Sequence, residues 1–523
     1  MNRVGRALAA IVLVGLAIRL YGLTSYGIWF DESYHIALVQ LPGVGAMLDA
    51  VLSNPPSDPL YVLLLRPWVG LFGHGDGAVR ALSVGLSTAT LPATYWLGRV
   101  VAGSGAGLLG AALLALSPYA VELGQEAALY ALAALTTTLA LAAGWHWWRT
   151  GQGARRYLAL GIVAIYSHYV VAAVLAGFAL AALLPGAGPR QVSRRAWLTG
   201  HAVIGVAWLP WLAALAIYWQ ESAVPRATLQ HRAGLADVRD ALIQYTSGTA
   251  AMLHGPRALQ VLGLLAGAAL LLGGWMAGRV PRRRGLRLLL LLSGVIFLAP
   301  ALVSALTGRW VFVPHFMLFL LPALFVVLAA SGQWAVSSGQ DLAVSTPHSS
   351  QPSALISTLG TPYSSLVSRL STQHSALSTV VLVGWMAAQV WGLAGYYRDP
   401  PHGADGAREL AAVLRHDARP ADLVLVTPPA LMPTVQQYYA GPLRGLPSDF
   451  DLRAVYLPYD PARWNADSLA VTTAALPGHP RAWLVYRPEL DAGGSFLATL
   501  QARYRQLDHR PYPFADLYLF TIP

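Results

Sequence analysis

The first 35 residues, MNRVGRALAAIVLVGLAIRLYGLTSYGIWFDESYH (1–35), join a basic start, a long apolar run and an adjacent pair of acids. The apolar run is long enough to cross a hydrocarbon core of about 30 Å as a helix. A signal peptide also has a basic start and an apolar core, but this run is long and no small-residue cleavage pattern follows it cleanly. We therefore predict an uncleaved first membrane helix over residues 7–23, followed by Asp31 and Glu32.

The composition extends this interpretation to most of the chain. Hydrophobic residues make up 55% of the 523 residues, charged residues only 11%, and the mean hydropathy is +0.50. These values do not describe a soluble globular protein. Apolar stretches of roughly 18 or more residues recur along the first three quarters of the sequence. The sequence predicts an α-helical polytopic membrane protein.

The basic residues indicate topology rather than nucleic-acid binding. The net charge is +11, every basic residue is an arginine, and the arginines cluster between the apolar segments. The expected partner is the lipid bilayer and not a nucleic acid. The absence of cysteine excludes a disulfide framework, a thiolate metal site and a cysteine nucleophile, and is compatible with an oxidising extracytoplasmic face.

The arginine-dense segments give the chain an orientation when they are assigned to the cytoplasm. Arg3 and Arg6 then place the N-terminus inside, so the first helix delivers the acid pair to the outer surface. The same rule assigns WHWWRTGQGARR (145–156) and GRVPRRRGLR (278–287) to the inside. The resulting threading through the cytoplasmic membrane has about 11 transmembrane helices.

Two apolar segments depart from plain membrane spans. PLYVLLLRPWVGLFG (59–73) is short and aromatic, which is typical of an interfacial helix. Residues 157–184 carry Ser167, His168 and Tyr169 at their centre, and we interpret them as two short helices that meet on the outer side.

Domain boundaries follow from changes in composition. Residues 1–397 form the predicted transmembrane domain, and its Ser/Thr-rich segment 333–378 is expected to be a flexible cytoplasmic insertion. Residues 398–523 are expected to form an extracytoplasmic α/β domain. In that part, residues 405–429 predict an amphipathic helix, a turn and a buried strand, and RAWLVYRP and DLYLFTIP predict further strands.

Asp31 and Glu32 are the first candidates for chemistry. A shielded carboxylate at the outer surface could take a proton from an attacking hydroxyl. The alternative is a pair of acids that caps a helix, because Asp31 could sit at an N-cap while Glu32 is favoured by the dipole in the first turn. The two interpretations are compatible with each other.

Three further outer segments supply polar groups. GQEAALY (124–130), YSHY (166–169) and GRWVFVPHF (308–316) would, one at a time, be a surface turn, a core histidine and a headgroup anchor. Under one topology, however, they all project to the same face of the membrane, and an arginine there is a candidate for phosphate. Together they indicate a site for a polar headgroup, with these candidate residues: Gln125, Glu126, Tyr130, His168, Tyr169, Arg309 and His315.

The order of short motifs resembles the bacterial glycosyltransferase family 39 enzymes. These motifs are WFDE followed by an aromatic, Tyr34, then NPPSDPLYVLLL, LFG, VRALS, LGRVVAG, LLALSPY, GQEAALY and IYSHY. The family belongs to the GT-C class of membrane glycosyltransferases and is related to protein O-mannosyltransferases and to the aminoarabinose transferase that modifies lipid A. The resemblance is densest over residues 20–175 and weaker through FVPHFMLFLLPALFVVLA and the C-terminal part.

The resemblance implies an activity and a set of site residues. A sugar would move from a polyprenyl-phosphate carrier to an extracytoplasmic acceptor by a single inverting displacement, with Asp31 as the base. The family's other substrate-site positions correspond to Tyr34, Gln125, Glu126, Tyr130, His168 and Tyr169, and Asp58 replaces part of its HPPLY pattern. Relatives commonly carry arginine at Ala128 and Arg-Tyr at His315–Phe316, so Arg309 or His315 would contact the donor phosphate.

Other functions remain open at this point. A transporter or flippase of lipid-linked sugars would have ionisable residues at mid-membrane and internally repeated helices, and the sequence shows neither clearly. An inactive GT-C relative acting as a binding subunit would fit the replaced arginines. No nucleotide-binding glycine-rich signature is present. A divalent metal ion near Asp31 is compatible with the carboxylates, which do not by themselves demand one.

Overall fold

Helices build most of the chain. The computed structural model describes residues 2–53, 59–181, 183, 191–221, 232–280, 283–308, 312–331, 380–399, 406–453, 461–488, 491 and 494–523. The helices up to residue 398 are α1 (Arg3–Leu20), α2 (Phe30–Gln40), α3 (Gly43–Ser53), α4 (Pro59–Phe72), α5 (Asp76–Val101), α6 (Ser104–Leu116), α7 (Pro118–Gln125), α8 (Tyr130–Thr150), α9 (Ala154–Ile165), α10 (Val171–Ala181), α11 (Arg194–Glu221), α12 (Leu235–Ser247), α13 (Thr249–His254), α14 (Arg257–Ala277), α15 (Gly285–Thr307), α16 (Pro314–Ser331, beginning as a 3-10 helix) and α17 (Val380–Arg398).

Several of these helices suit a bilayer. Within the described residues, five helices are long and apolar enough to cross a membrane, or six if the bent pair α6 and α7 forms one span. Helix α1 is not among them because three arginines lie within its 18 residues. The structure therefore supports a polytopic membrane fold, and the total of about 11 spans stays a prediction. The Ser/Thr-rich segment 333–378 lies outside the described residues.

A sharp bend separates α6 from α7, whose axes differ by 63°. Pro118 has no amide hydrogen and disfavours helical geometry at the residue before it, so α6 ends and a new helix begins. Ser117 caps the new helix by accepting a hydrogen bond from Ala120 N at 3.3 Å. After the bend, the chain continues as a buried helix to Gln125, so the predicted surface turn at GQEAALY (124–130) does not begin before that residue.

A buried arginine stabilises this bend. The guanidinium of Arg19 donates to the carbonyls of Leu114 and Ala115, both at 3.3 Å, and to Ser87 Oγ at 2.7 Å. Carbonyls at the end of a helix lack intrahelical partners, and in an apolar environment each unpaired one is costly. Arg19 therefore satisfies the groups that the bend exposes.

Close glycine contacts bring α5 and α6 together. A Cβ atom on Gly98 would lie 2.5 Å from the Cα atom of Gly107, and one on Gly107 would lie 2.4 Å from the carbonyl oxygen of Tyr95. Small residues at such a contact allow helix backbones to approach closely. The contact fixes α5, which carries Arg80 towards the site described below.

The segment at 157–184 breaks where the sequence analysis expected it to. Helix α9 ends at Ile165 and α10 begins at Val171, with Ser167, His168 and Tyr169 between them. Ser167 Oγ lies 2.8 Å from Thr136 Oγ1 of α8, so the connection is held against that helix. The break thereby presents His168 at a fixed place.

The C-terminal part contains a five-stranded sheet in the order β2-β1-β3-β5-β4. Strands β2, β1 and β3 are parallel, and β5 runs antiparallel to both β3 and β4. The elements are α18 (Ala407–Asp417), β1 (Leu423–Thr427), α19 (Met432–Gln436), β2 (Arg444–Gly445), α20 (Pro461–Ala475), β3 (Arg481–Tyr486), α21 (Ser495–Arg503), β4 (Arg505–Arg510) and β5 (Asp516–Thr521). The helix α18 and the strands β1, β3 and β5 confirm the elements predicted there.

Alternation along the strands gives this sheet an apolar layer on each face. Val424 and Val426 of β1 pack with Leu410 of α18, whereas Leu425 between them packs on the other face with Phe496 of α21. Successive side chains of a strand point to opposite faces, so a strand that is covered on both sides is apolar throughout. The domain boundary at residue 398 remains a prediction.

Candidate active site

The first turn of α2 presents the acid pair. Trp29 precedes the helix in an extended conformation, and Glu32 Oε2 accepts a hydrogen bond from Trp29 N at 3.2 Å. Asp31 and Glu32 both lie in the first turn, where the helix dipole favours carboxylates. Neither acid is the N-cap itself, since Trp29 occupies that position.

Both carboxylate oxygens of Glu32 accept hydrogen bonds from other groups of the protein. Arg80 of α5 binds it in a bidentate manner, with Nε to Oε1 at 2.8 Å and Nη2 to Oε2 at 2.6 Å, and both side chains are completely buried. Ala127 N also donates to Oε1 at 2.8 Å. Together with the bond from Trp29, these contacts give the two carboxylate oxygens four donors. Glu32 therefore holds α2 in place rather than facing a substrate.

Arg80 is equally saturated. Its remaining donors bind the carbonyl oxygens of Leu23, Tyr26 and Gly27 at 2.7 to 3.0 Å, and its guanidinium lies 4.1 Å from the ring centroid of Tyr26. Arg80 is the arginine of the VRALS motif, but the sequence did not predict its pairing with Glu32. An ionisable residue inside an apolar helix is a signal that could have found it.

Asp31 lies in a different environment from its neighbour. It is half-buried, and the hydroxyl of Tyr130 bonds to its carboxylate. Burial, with a smaller contribution from the charge of Glu32, raises the pKa of Asp31 to about 6, and the bond from Tyr130 acts against this rise. His35 bonds through Nδ1 to the backbone oxygen of Asp31 at 2.8 Å, and burial lowers the pKa of His35 to about 4. A carboxylate of this kind is a stronger base than an ordinary aspartate and is still ionised at neutral pH.

A chain of ring contacts continues from Tyr130. The centroid of its ring lies 5.2 Å from that of His315, which lies 4.9 Å from Phe316. Phe316 is 5.2 Å from the ring of His168, and His168 is 4.9 Å from Tyr169. The start of α8, the start of α16 and the connection between α9 and α10 thus meet. We refer to Asp31, Tyr130, His168 and His315 as the site cluster.

The tautomer of His168 follows from its backbone contact. Val170 N donates to His168 Nδ1 at 3.2 Å, so this nitrogen acts as an acceptor and the proton resides on Nε2 in the neutral ring. The side chain is buried, with 2% of its surface exposed. It therefore offers an N–H donor of fixed direction to an anionic oxygen.

The Gln125–Glu126 corner divides between two roles. Gln125 Nε2 donates to the carbonyls of Arg19 and Tyr21, both at 2.8 Å, and its Oε1 accepts from Tyr396 OH at 2.6 Å. These contacts tie α7 to the end of α1 and to α17, so Gln125 links three helices. Glu126 follows directly and is almost completely buried, and its burial together with the nearby charges of Glu122 and Glu32 raises its pKa well above the ordinary value.

The remaining predicted residues lie apart from the site cluster or outside the described residues. Tyr34 is buried in the main apolar core of the helical part, where its ring contacts that of His35. Asp58 and Arg309 lie outside the described residues. Among the described residues, no group of three or more histidine, aspartate or glutamate side chains could hold a metal ion. Both carboxylate oxygens of Glu32 already accept two hydrogen bonds each.

The fold is the one found in enzymes of the GT-C class, as the comparison with solved structures shows. No model of a protein family matches the sequence, and no protein of curated function matches it significantly. Among solved structures, the chain resembles ArnT from Cupriavidus metallidurans bound to undecaprenyl phosphate, with 16% identity, 99% of this chain and 98% of that chain covered, and a TM-score of 0.59.

A second group of similar structures comes from an archaeon. The oligosaccharyltransferase AglB from Archaeoglobus fulgidus, in complex with an inhibitory peptide and a dolichol-phosphate, matches with 11% identity and a TM-score of 0.53. That comparison covers 98% of this chain and 74% of the other. A structure of the same enzyme with zinc and sulfate matches with a TM-score of 0.51. At such identities these comparisons show the fold, and they confirm at that level the resemblance identified from the motifs.

Proposed function

We propose that this protein is a membrane glycosyltransferase that moves a sugar from a polyprenyl-phosphate-linked donor to an extracytoplasmic lipid, glycan or protein. The observation that carries the proposal is that Asp31 is bonded to Tyr130, whose ring lies beside His315, within a GT-C fold. Two structures with the same fold contain undecaprenyl phosphate or dolichol-phosphate, which supports a polyprenyl-phosphate donor.

The proposed reaction is a single displacement with inversion at the anomeric carbon. The acceptor hydroxyl attacks that carbon, the bond from the carbon to the phosphate oxygen breaks, and the polyprenyl phosphate leaves with the bonding electron pair. Asp31 takes the hydroxyl proton as the new bond forms. A hydroxyl is a poor nucleophile at neutral pH, and the raised pKa of Asp31 favours this proton transfer.

The other residues position the reactants. Glu32 and Arg80 hold the first turn of α2, and Tyr130 orients the carboxylate of Asp31. His168 and His315 are proposed to donate to the phosphate of the donor, together with Arg309. This assignment reflects the chemistry of N–H donors towards anionic oxygens. Ala128 stands where relatives commonly carry an arginine, and it is almost fully buried. This chain therefore has no positive charge at that position.

The orientation is part of the same proposal. With the arginine-dense segments in the cytoplasm, the N-terminus lies inside, and the site cluster and the C-terminal sheet lie outside. A lipid-linked donor would then reach the site from the outer leaflet. An acceptor would approach from the aqueous side.

The experiment that tests this function measures release of the lipid carrier. Purified full-length protein in detergent is incubated with a panel of polyprenyl-phosphate hexoses and pentoses, and free polyprenyl phosphate is quantified. We expect release with at least one donor, and its loss in Asp31→Asn but not in Asp508→Asn, a partly exposed acid at the edge of the sheet. Movement of intact donors across liposome membranes without release would identify a flippase instead. Binding without release or transport would identify an inactive binding subunit.

A further inference from the structure

The C-terminal sheet region contacts the segment that leads into α2. The hydroxyl of Tyr438 accepts a hydrogen bond from Ile28 N at 2.5 Å and donates to Asp76 Oδ2 at 2.7 Å. Ile28 lies three residues before Asp31. Arg408 of α18 binds the same Asp76 oxygen at 2.6 Å and the carbonyl of Tyr26 at 3.1 Å. Tyr438 therefore bridges the entry to α2 and the first residue of α5.

A second contact reaches α2 itself. Ser33 Oγ and Thr434 Oγ1 lie 2.8 Å apart, and both side chains are buried, with 2% and 0% of their surface exposed. Ser33 Oγ donates its only hydrogen to Phe30 O at 2.7 Å. The hydrogen between the two hydroxyls therefore belongs to Thr434, which donates to Ser33. Ser33 is two residues from the base and next to Glu32.

Apolar packing joins these contacts. Ile28, Ile36, Val79 and Ala127 form a small buried cluster, and the ring of Tyr438 packs against it. The same Ala127 donates its amide hydrogen to Glu32. The side chain of Tyr438 thus covers the point where α2, α5 and the segment after α7 converge.

We propose that Thr434 and Tyr438 are positioning residues, whose hydroxyl groups hold the start of α2 so that Asp31 meets the acceptor. This proposal rests on the proposed function, because Asp31 is there the base. It makes the docked state of the C-terminal region a requirement for turnover. The region then contributes to catalysis through the geometry of α2 and not through contact with the reacting atoms.

Two pairs of variants isolate the hydroxyl groups. Thr434→Ala removes the donor to Ser33, and Thr434→Ser keeps a hydroxyl at the same carbon. Tyr438→Phe removes the bridge, while Tyr439→Phe removes a neighbouring hydroxyl that belongs to the sheet region's own packing. A displacement of about 1 Å at a reacting group lowers turnover by roughly 10- to 100-fold. We expect such a fall in kcat for Thr434→Ala and Tyr438→Phe with an unchanged donor KM, and recovery in Thr434→Ser.

The pH profile separates positioning from a loss of folded protein. Asp31 is faced by Glu32 and His35 of α2, Glu126 after α7 and Tyr130 of α8, and Arg80 of α5 pairs with Glu32. If α2 moves, water reaches Asp31 and its pKa falls towards the ordinary value. The acid limb of kcat/KM should then shift to lower pH. A uniform fall at every pH with an unmoved limb, or no fall at all, would overturn the proposal.

Hydrogen exchange of the full-length protein provides a readout that does not depend on activity. We expect faster exchange of the amides of residues 30–36 in Thr434→Ala and Tyr438→Phe, and unchanged exchange of α8. Unaltered exchange in α2 would show that the two hydroxyls do not hold it. If the wild-type protein released no carrier from any donor, the proposed function would fail, and the exchange data would still decide whether these contacts fix α2.

Discussion

The carboxylate of Glu32 and the guanidinium of Arg80 form a completely buried, bidentate ion pair, with oxygen to nitrogen distances of 2.8 and 2.6 Å. Removal of one partner from such a pair leaves an uncompensated buried charge, which costs about 3–5 kcal/mol. We expect Arg80→Met to lower the thermal unfolding temperature in detergent markedly. Arg66→Met, on the half-buried Arg66 of α4, is the control for loss of one arginine. Equal unfolding temperatures of these two variants would contradict the role of the pair.

Replacement of the proposed base separates turnover from binding. Asp31→Asn keeps the shape of the side chain but cannot take a proton, so turnover should fall by roughly 100-fold or more. Binding of the lipid-linked donor should persist in this variant. His315→Ala should instead weaken donor binding, because its imidazole is the proposed phosphate contact. Near-normal turnover of Asp31→Asn with a verified donor and acceptor would place the base elsewhere.

Asp31→Asn should lower turnover and yet raise the stability of the folded protein at high pH. Burial raises the pKa of Asp31 from 3.8 to about 6, so the folded state binds the proton more tightly than the unfolded state. The associated stability is present below pH 3.8 and is lost as the pH rises through about 6. Asp31→Asn carries no such charge, so we expect it to unfold at a higher temperature than the wild type at pH 8. This gain should vanish at pH 4, and thermal unfolding at the two values measures it.

The bond from Tyr130 to Asp31 predicts a shift in the activity profile. Asp31 must be ionised to act as a base, so kcat/KM should rise with pH through about 6. The bond from Tyr130 lowers the pKa of Asp31. Its loss in Tyr130→Phe should therefore move the rise of kcat/KM to higher pH. Phe316→Leu, which changes a neighbouring ring without that bond, serves as the control. A limb that stays in place in Tyr130→Phe would show that the bond does not act on the base.

The orientation can be tested directly because the chain has no cysteine. Ser25→Cys lies just after α1, and Gln152→Cys lies between α8 and α9, and both positions are exposed. A reagent that cannot cross membranes should label the first in intact cells and the second only after the cells are opened. The reverse pattern would invert the proposed topology.

The sequence predicted more of the elements than of their contacts. Periodicity identified α18 and β1, and the polar residues at 167–169 revealed the break between α9 and α10, because these signals are local. The motif GQEAALY predicts a substrate contact for Gln125, and in the structure the side chain of Gln125 bonds to Arg19, Tyr21 and Tyr396. The hydrogen-bond partners of that amide lie about 100 and 270 positions away along the chain, which no local pattern contains.

The roles of Asp31 and Glu32 also depend on contacts that the sequence did not predict. Two adjacent carboxylates have the same chemistry in the sequence, and only the position of Arg80, 48 residues later, assigns the structural role to Glu32. Asp31 accepts a hydrogen bond from the neutral hydroxyl of Tyr130 and has a raised pKa. Their separate roles therefore arise from packing between helices and not from the motif itself.

The contacts of Tyr438 with Ile28 and of Thr434 with Ser33 also have a consequence for biosynthesis. They join residues that are 410 and 401 positions apart. At a synthesis rate of about 5–20 residues per second, roughly 20–80 seconds separate the translation of the two sides. During that interval the ribosome-bound chain has α2 without its contacts to Tyr438 and Thr434. We therefore expect the nascent chain to be catalytically silent until the sheet region has been translocated and folded.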